Sequence, residues 1–209
     1  MFSMSEGLMI DIHSHILFGV DDGAQSMEDS IKMAKLAVKE GIHQIVATPH
    51  HRNGHYNNSK LEIIQKVNDL NNVLQDEGIH LKVVPVQELR IYEELIEDFD
   101  NNEVLTINDS GTHMLIEFSS AHVPRYAEKL LYDLQMKGIT PIIVHPERNK
   151  EFIENPTMLY EFVKRGALTQ VTAGSVAGKA GKSVQKFSMQ LIELHLTHFI
   201  ASDVHNINS

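Results

Sequence analysis

The stretch MIDIHSHILFGVDDG at residues 9–23 combines a short apolar run with four side chains that are costly to bury. A short apolar run carries His13 and His15 at alternating positions, and Asp21 and Asp22 follow soon after. Side chains two positions apart on a strand lie on the same face, so both histidines face one way. Buried imidazoles and carboxylates are costly unless each has a partner. We therefore expect a polar site at the carboxyl end of a buried first strand.

Length and composition indicate one globular domain. The chain has 209 residues, 42% of them hydrophobic, and no run approaches the roughly 18 apolar residues of a membrane-spanning helix, so we expect no membrane insertion. Residues 1–8 show no signal-peptide pattern and are expected to form a flexible extension. The 28 acidic residues outnumber the 18 basic ones without any basic cluster, which argues against nucleic-acid binding. The lack of cysteine is common in cytoplasmic proteins, and we expect a cytoplasmic location.

Seven short apolar segments alternate with helical patterns along the chain. The expected strands cover residues 8–13, 42–50, 81–88, 114–118, 139–145, 168–172 and 199–204. The expected helices cover residues 26–40, 59–77, 126–137, 158–164 and 183–196. This alternation predicts a parallel α/β fold. We expect one domain over residues 9–209, a distorted (β/α)7 barrel of the TIM type that is one strand short.

Residue types that bind metals stand at the carboxyl ends of six of the seven expected strands. They are His13 and His15, His50 and His51, Glu88, Glu117, His145, and Asp203 with His205. The strand at 168–172 differs because it ends in Thr172. In a barrel these ends meet at one mouth, whereas in an open sheet they would spread along an edge. Carboxylates that met there without cations would repel one another, so the pattern predicts a metal centre.

The donor types narrow the choice of metal. Imidazole and carboxylate without sulfur suit manganese, iron or zinc, and so many donors exceed the need of one ion. We therefore expect a centre of two or three ions. The other seven histidines lie at strand starts, in loops or near a helix end and are expected to be structural or solvated. They are His43, His55, His80, His113, His122, His195 and His198.

Six short motifs in the chain resemble those of the polymerase and histidinol phosphatase (PHP) family. They are DIHSH at 11–15, TPHH at 48–51, QE at 87–88, IEF at 116–118, HPER at 145–148 and SDVHN at 202–206. Their order and spacing are closer still to the bacterial manganese-dependent tyrosine phosphatases of capsule and exopolysaccharide gene clusters. The resemblance extends from residue 9 to residue 206.

The resemblance implies a distorted seven-stranded PHP barrel that binds three metal ions, with manganese as the first choice and iron or zinc as alternatives. By position, the first ion would be held by His13, His15, Glu88 and Asp203; the second by Glu88, Glu117 and His145; and the third by Asp22, His50 and His205. Asp21 and His51 receive no ligand position, and each is a candidate for a supporting contact.

The implied reaction is hydrolysis of a phosphate monoester. Arg148 in HPER matches the family's phosphate-contacting arginine, whose planar fork suits a phosphate, and Asp203 or a water is the candidate proton donor. The resemblance implies phosphotyrosine protein as the substrate, in particular the tail of a bacterial tyrosine kinase that controls capsular or extracellular polysaccharide synthesis. Two alternatives stay open: a phosphatase for a small metabolite such as histidinol phosphate, and a truncated, weakly active protein that binds metal or the kinase.

Members of that family usually continue for some tens of residues past the SDVHN motif, whereas this sequence ends at Ser209. Relative to them, the chain lacks the usual C-terminal helices and a second phosphate-binding arginine. We expect the missing charged contact to cost roughly 1.5–3 kcal/mol of substrate binding. We also expect an uncovered apolar surface near Phe199 and Ile200, which would favour oligomers.

Overall fold

The computed structural model describes residues 9–208, so the extension expected at residues 1–8 lies outside the described residues. The strands are β1 (Met9–Ser14), β2 (Ile42–Ala47), β3 (His50–His51), β4 (Lys82–Pro85), β5 (Glu88–Arg90), β6 (His113–Glu117), β7 (Thr140–Val144), β8 (Leu168–Thr172) and β9 (Phe199–Ala201). The α-helices are α1 (Met27–Lys39), α2 (Lys60–Asp76), α3 (Leu95–Asp100), α4 (Ala127–Met136), α5 (Lys150–Glu154), α6 (Pro156–Lys164), α7 (Ala173–Val176) and α8 (Lys182–Glu193). Short 3-10 helices cover Ile107–Asp109 and Pro146–Arg148.

The strands form two sheets whose named strands pair in parallel. One sheet has the order β1-β2-β4, and the other has the order β3-β5-β6-β7-β8-β9. Every pairing from β1·β2 to β8·β9 runs in the same direction. This confirms the parallel α/β fold that the alternating sequence patterns predict.

Two expected strands are interrupted, which corrects their predicted bounds. The strand expected at 42–50 divides into β2 and β3, and the strand expected at 81–88 divides into β4 and β5. Pro49 and Pro85 lie at these interruptions, and proline has no backbone N–H to donate to a neighbouring strand. The two divided strands nevertheless stay side by side, because Glu88 N donates to Pro49 O at 3.0 Å.

The first strand also contacts the segment that follows the last strand. Ser14 and Val204 form a parallel bridge. Asp203 N donates to His13 O at 2.9 Å, and His15 N donates to Val204 O at 2.9 Å. These bonds bring the carboxyl ends of β1 and β9 together, and four of the predicted site residues lie there: His13, His15, Asp203 and His205.

The helices cover one face of the strands, and a smaller apolar cluster covers the other face. On β2, Ile45 and Ala47 pack into a core shared with α1 and α2, whereas Val46 points to the opposite cluster. Strand alternation causes this division. The opposite cluster consists of Val46, Val84, Val86, Leu115, Ile142 and Val144.

The five expected helices are confirmed, and their ends carry local signals. Ser26 and Asp29 form a capping box at the start of α1, and Gly41 after its end has a φ of 84°. The sequence patterns did not predict α3, α5 and α7, because helices of six, five and four residues are too short to show a helical period. Across residues 9–208, no helix combines the length and the apolar character that a bilayer crossing requires.

Candidate metal centre

The structure brings together all nine side chains that the sequence predicts as metal ligands. Their nitrogen and oxygen atoms form four overlapping groups, and the atoms of each group lie within 4.8 Å of one another. The groups are His13, His15 and Glu88; His13, His145 and Asp203; His50, Glu88 and Glu117; and His15, Asp22, His50 and His205. The shared members join the four groups into one centre at the carboxyl ends of the strands.

The middle of this centre consists of two imidazoles that face two carboxylates. The Nε2 atoms of His13 and His15 lie 3.2 Å and 3.4 Å from Asp203 Oδ1. The same two atoms lie 3.5 Å and 3.4 Å from Glu88 Oε2. Donor atoms that share an ion at about 2.1 Å lie about 3.0–3.4 Å apart, so these spacings suit a common cation.

Glu88 contacts imidazoles on two sides of the centre. Its Oε1 lies 2.7 Å from His145 Nε2, and its Oε2 lies 2.9 Å from His50 Nδ1. Glu117 Oε2 stands on the same side, 3.9 Å from His50 Nδ1. Because its two oxygens face different imidazoles, Glu88 has the placement of a carboxylate that bridges two ions.

The outer group lies at the mouth. Asp22 Oδ1 stands 3.6 Å from the Nε2 atoms of both His50 and His205. The Asp22 side chain is 54% exposed, and the His205 ring stacks on the His15 ring with centroids 3.9 Å apart. The loop after β1 therefore supplies Asp22 to the solvent-facing edge of the centre.

Unpaired buried atoms show that the residues fit a group of cations. Six atoms in the centre are buried and form no hydrogen bond within the described part of the chain. One of them, Asp203 Oδ2, lies against the Arg148 guanidinium, and the other five are His13 Nε2, His15 Nε2, His50 Nδ1, Glu88 Oε2 and Glu117 Oε2. Leaving such atoms without a partner is costly, and native proteins rarely do so. Divalent cations would satisfy all five at once.

The far nitrogens of the two central histidines are held by hydrogen bonds. His13 Nδ1 lies 2.9 Å from Gln170 Oε1, and His15 Nδ1 lies 2.8 Å from Asp21 Oδ2. Because these oxygens accept, each Nδ1 carries a proton, so each Nε2 is the nitrogen that would give its lone pair to a cation once its own proton is displaced. Asp21 thus makes the supporting contact for which the sequence made it a candidate. His51 is turned away, since its Nδ1 contacts Asn58 O at 2.7 Å.

Charge inside the centre shifts the pKa values of its members. Burial lowers the pKa of His13, but the carboxylates of Glu88 and Asp203 outweigh this effect and raise that pKa to about 9. Burial raises the pKa of Asp203, yet its imidazole neighbours bring it well below its usual range. For Glu117, burial and the Glu88 carboxylate both raise the pKa. Without a metal, protonated imidazoles thus offset the negative charge of the carboxylates. Bound cations would supply that positive charge instead.

Arg148 faces the cavity above the centre. Its Nη2 lies 2.7 Å from Asp203 Oδ2 and donates to Thr172 Oγ1 at 3.2 Å. The cavity holds about 390 Å³, and its walls include Asp22, Glu117 and Arg148. Since 40% of the Arg148 side chain is exposed, it keeps donors free for an anion that enters.

The other histidines stay outside the centre. Neither His51 nor any of the seven histidines expected to be structural belongs to the four groups among the described residues. His198 Nδ1 accepts from Thr169 N at 3.1 Å, which is a structural role. His195 was expected in the last turn of a helix; it lies two residues past the end of α8, in a left-handed conformation with φ 55°.

Comparison with known proteins identifies the family. The family model described as capsular polysaccharide synthesis, CpsB/CapC, matches residues 9–209. The chain belongs to the CpsB/CapC family. This match confirms the resemblance read from the motifs to phosphatases of capsule gene clusters, and the broader PHP family is consistent with it.

Two named relatives and a solved structure resemble this CpsB/CapC chain over nearly its whole length. The tyrosine-protein phosphatase YwqE of Bacillus subtilis is 51% identical, covering 96% of this chain and 79% of YwqE. The putative tyrosine-protein phosphatase CapC of Staphylococcus aureus is 43% identical, covering 96% of this chain and 78% of CapC. The crystal structures of YwqE and of CpsB from Streptococcus pneumoniae, described as unique metal-dependent tyrosine phosphatases, include a chain that matches with a TM-score of 0.92 and 52% identity. That match covers 95% of this chain and 80% of the other.

Two residues of this CpsB/CapC centre escaped the sequence analysis. Gln170 lies on β8, the strand whose end carries no metal-binding type, and Arg90 lies on β5 two positions after Glu88. Strand alternation could have indicated both, because Arg90 shares a face with Glu88 and Gln170 shares a face with Thr172. Neither is a common metal-ligand type, so the pattern of ligand types at the strand ends does not single them out.

Proposed function

We propose that this chain is a metal-dependent phosphatase that hydrolyses phosphotyrosine on proteins. One observation carries the proposal: nine imidazole and carboxylate side chains converge around buried, unpaired nitrogen and oxygen atoms beneath an open cavity. Relatives that are 51% and 43% identical bear the name tyrosine-protein phosphatase. The similar crystal structures are of metal-dependent tyrosine phosphatases, which supports the same chemistry for this chain.

The proposed ligand sets are those that the resemblance to the family implies. His13, His15, Glu88 and Asp203 would hold the first ion; Glu88, Glu117 and His145 the second; and Asp22, His50 and His205 the third. Each of these side chains belongs to at least one of the four groups of donor atoms, although the groups divide them differently. We propose manganese as the ion, with iron or zinc as alternatives, because the donors are imidazole and carboxylate. Bound divalent cations supply an acidified water and neutralise charge on phosphoryl oxygens.

The chain's own residues would orient the phosphate for hydrolysis. Arg148 stands at the cavity wall and would bind phosphoryl oxygens through its free donors. Asp203 Oδ2 holds the Arg148 guanidinium at 2.7 Å, and because its imidazole neighbours keep the pKa of Asp203 well below its usual range, a water rather than Asp203 is the candidate proton donor. A tyrosyl oxygen has a conjugate-acid pKa of about 10, so it leaves with less help than an alkoxide needs.

We propose that the two sheets form one distorted seven-stranded barrel and that residues 9–209 are one domain. The hydrogen bond between the two divided strands supports counting β2 with β3 and β4 with β5 as single strands. The bridge between Ser14 and Val204 supports closure of β1 against the end of β9. Closure would bring the strand ends around one mouth, which is where the ligand atoms lie.

We further propose that the protein substrate is the tail of the bacterial tyrosine kinase that works in the same polysaccharide system. The description of the family as capsular polysaccharide synthesis supports this partner. A flexible phosphorylated tail suits a cavity of about 390 Å³ that opens to solvent beside Asp22 and Arg148.

The test compares three substrates with the metal-stripped and the Mn²⁺-loaded protein. We expect Mn²⁺-dependent hydrolysis of p-nitrophenyl phosphate and of a phosphotyrosine peptide, and little hydrolysis of histidinol phosphate. His13→Ala and His145→Ala should abolish the Mn²⁺-dependent hydrolysis, whereas His198→Gln changes a residue outside the centre and should retain it. Preference for histidinol phosphate would favour the metabolite alternative. Metal binding without turnover of any substrate would favour the weakly active alternative.

A further inference from the structure

Arg90 lies beside the centre without being a ligand type. It follows Glu88 by two positions on β5, so both side chains lie on the same face of that strand. The parallel register of β5 and β6 pairs Arg90 with Glu117. Arg90 also lines the cavity above the centre, and 27% of its side chain is exposed.

The contact between Arg90 and Glu117 divides the two oxygens of that carboxylate. Arg90 Nη2 donates to Glu117 Oε1 at 3.0 Å. Glu117 Oε2 is buried, forms no hydrogen bond within residues 9–208, and belongs to the group with His50 and Glu88. The guanidinium therefore holds one oxygen and leaves the other directed at the centre.

We propose that Arg90 is a positioning residue that orients Glu117 for cation binding. The inference rests on the proposed metal-dependent function. A carboxylate without this contact could rotate about its last bond and turn Oε2 away from its partners. A planar guanidinium resists that rotation, whereas a lysine ammonium gives only a point charge. Hydrogen-bonded partners of metal ligands commonly control affinity in this way.

A second role for Arg90 predicts a different result. An arginine on the cavity wall could instead bind the substrate phosphate, as proposed for Arg148. In that case its loss would raise KM and leave metal affinity unchanged. The contact from Arg90 Nη2 to Glu117 Oε1 favours the positioning role, because that nitrogen is already engaged by the carboxylate. The two roles are separated by measuring Mn²⁺ binding in the absence of any substrate.

The experiment measures Mn²⁺ affinity by calorimetry on metal-stripped wild type, Arg90→Gln and Arg90→Lys. We expect Arg90→Gln to lose about 10- to 100-fold in affinity for at least one ion and Arg90→Lys to lose less. In a Glu117→Gln background, Arg90→Gln should add little, because its target carboxylate is gone. The matched control is Arg165→Gln, which removes an exposed arginine–glutamate pair with Glu128 and should bind Mn²⁺ like wild type.

Two outcomes would overturn the inference. One is Arg90→Gln that binds Mn²⁺ as tightly as wild type, with or without a raised KM. The other is equal losses in the wild-type and Glu117→Gln backgrounds. Thermal unfolding in EDTA establishes that each variant is folded. If Arg90→Gln does not fold, the Mn²⁺ affinity of Arg90→Lys is compared with that of wild type instead. If the wild-type protein bound no Mn²⁺, the proposed function would be overturned together with the inference. If the wild type bound Mn²⁺ and Arg90→Gln bound it equally well, only the inference would be overturned.

Discussion

Replacing Asp21 by asparagine should weaken metal binding without disturbing the fold. Asp21 Oδ2 lies 2.8 Å from His15 Nδ1, and Oδ1 accepts from Gly23 N at 2.9 Å. Asparagine has one acceptor oxygen, so it cannot accept both bonds. If its NH2 group faces His15, the imidazole must move its proton to Nε2, the atom that faces the centre. If the oxygen faces His15, Gly23 N loses its partner.

The expected size of this effect follows from these contacts. Loss of a buried partner of a metal-binding histidine lowers affinity by about 10- to 100-fold. That range equals about 1.4–2.7 kcal/mol of binding free energy. Asp21 is buried, so solvent water does not replace the lost bond. Calorimetric titration of the metal-stripped Asp21→Asn protein with Mn²⁺ measures the loss of affinity directly. The free Mn²⁺ concentration that gives half-maximal phosphatase activity should rise by the same factor.

A matched control separates this effect from a general effect of charge. Asp100→Asn removes an exposed carboxylate that pairs with Lys137 at 2.6 Å, and such surface pairs contribute about 0–1 kcal/mol. This variant should bind Mn²⁺ like wild type. The reasoning would be refuted if Asp21→Asn bound Mn²⁺ within about threefold of wild type while both variants unfolded at the wild-type temperature in EDTA.

Substitutions at three further positions test other parts of the structure. Gln170→Leu removes the acceptor for His13 and should lower Mn²⁺ affinity by about tenfold, whereas Gln170→Glu should retain binding; equal affinities would contradict the role of Gln170. Gly23→Ala would place a Cβ 2.1 Å from His15 O, so we expect a loss of about 2–3 kcal/mol in unfolding free energy by urea titration, and an unchanged midpoint would contradict that clash. Phe152→Ala empties a fully buried site next to Phe118 and should cost about 3–5 kcal/mol in the same assay, with the ratio of kcat to KM retained wherever the variant is folded.

The strand ends were predictable because their position depends on local sequence. Apolar segments followed by His145 or Asp203 indicate where a buried strand stops and where polar chemistry begins. Parallel strands present their carboxyl ends on one side, so these residues had to approach one another. Asp22 lies in the loop after β1 and was assigned to the mouth only by resemblance to the family, and the structure groups it there with His15, His50 and His205.

The parallel α/β fold, the helices with a clear period and the residue types that meet at the centre all follow from local sequence patterns. Which nitrogen of each histidine faces inward depends on distant partners such as Gln170, which lies 157 residues from His13 along the chain, so it could be read only from the folded chain. The tertiary structure also decided the contact between Arg90 and Glu117, because the register between β5 and β6 is a property of two paired strands. Local patterns set where a strand ends, whereas contacts between distant segments set how each side chain is held.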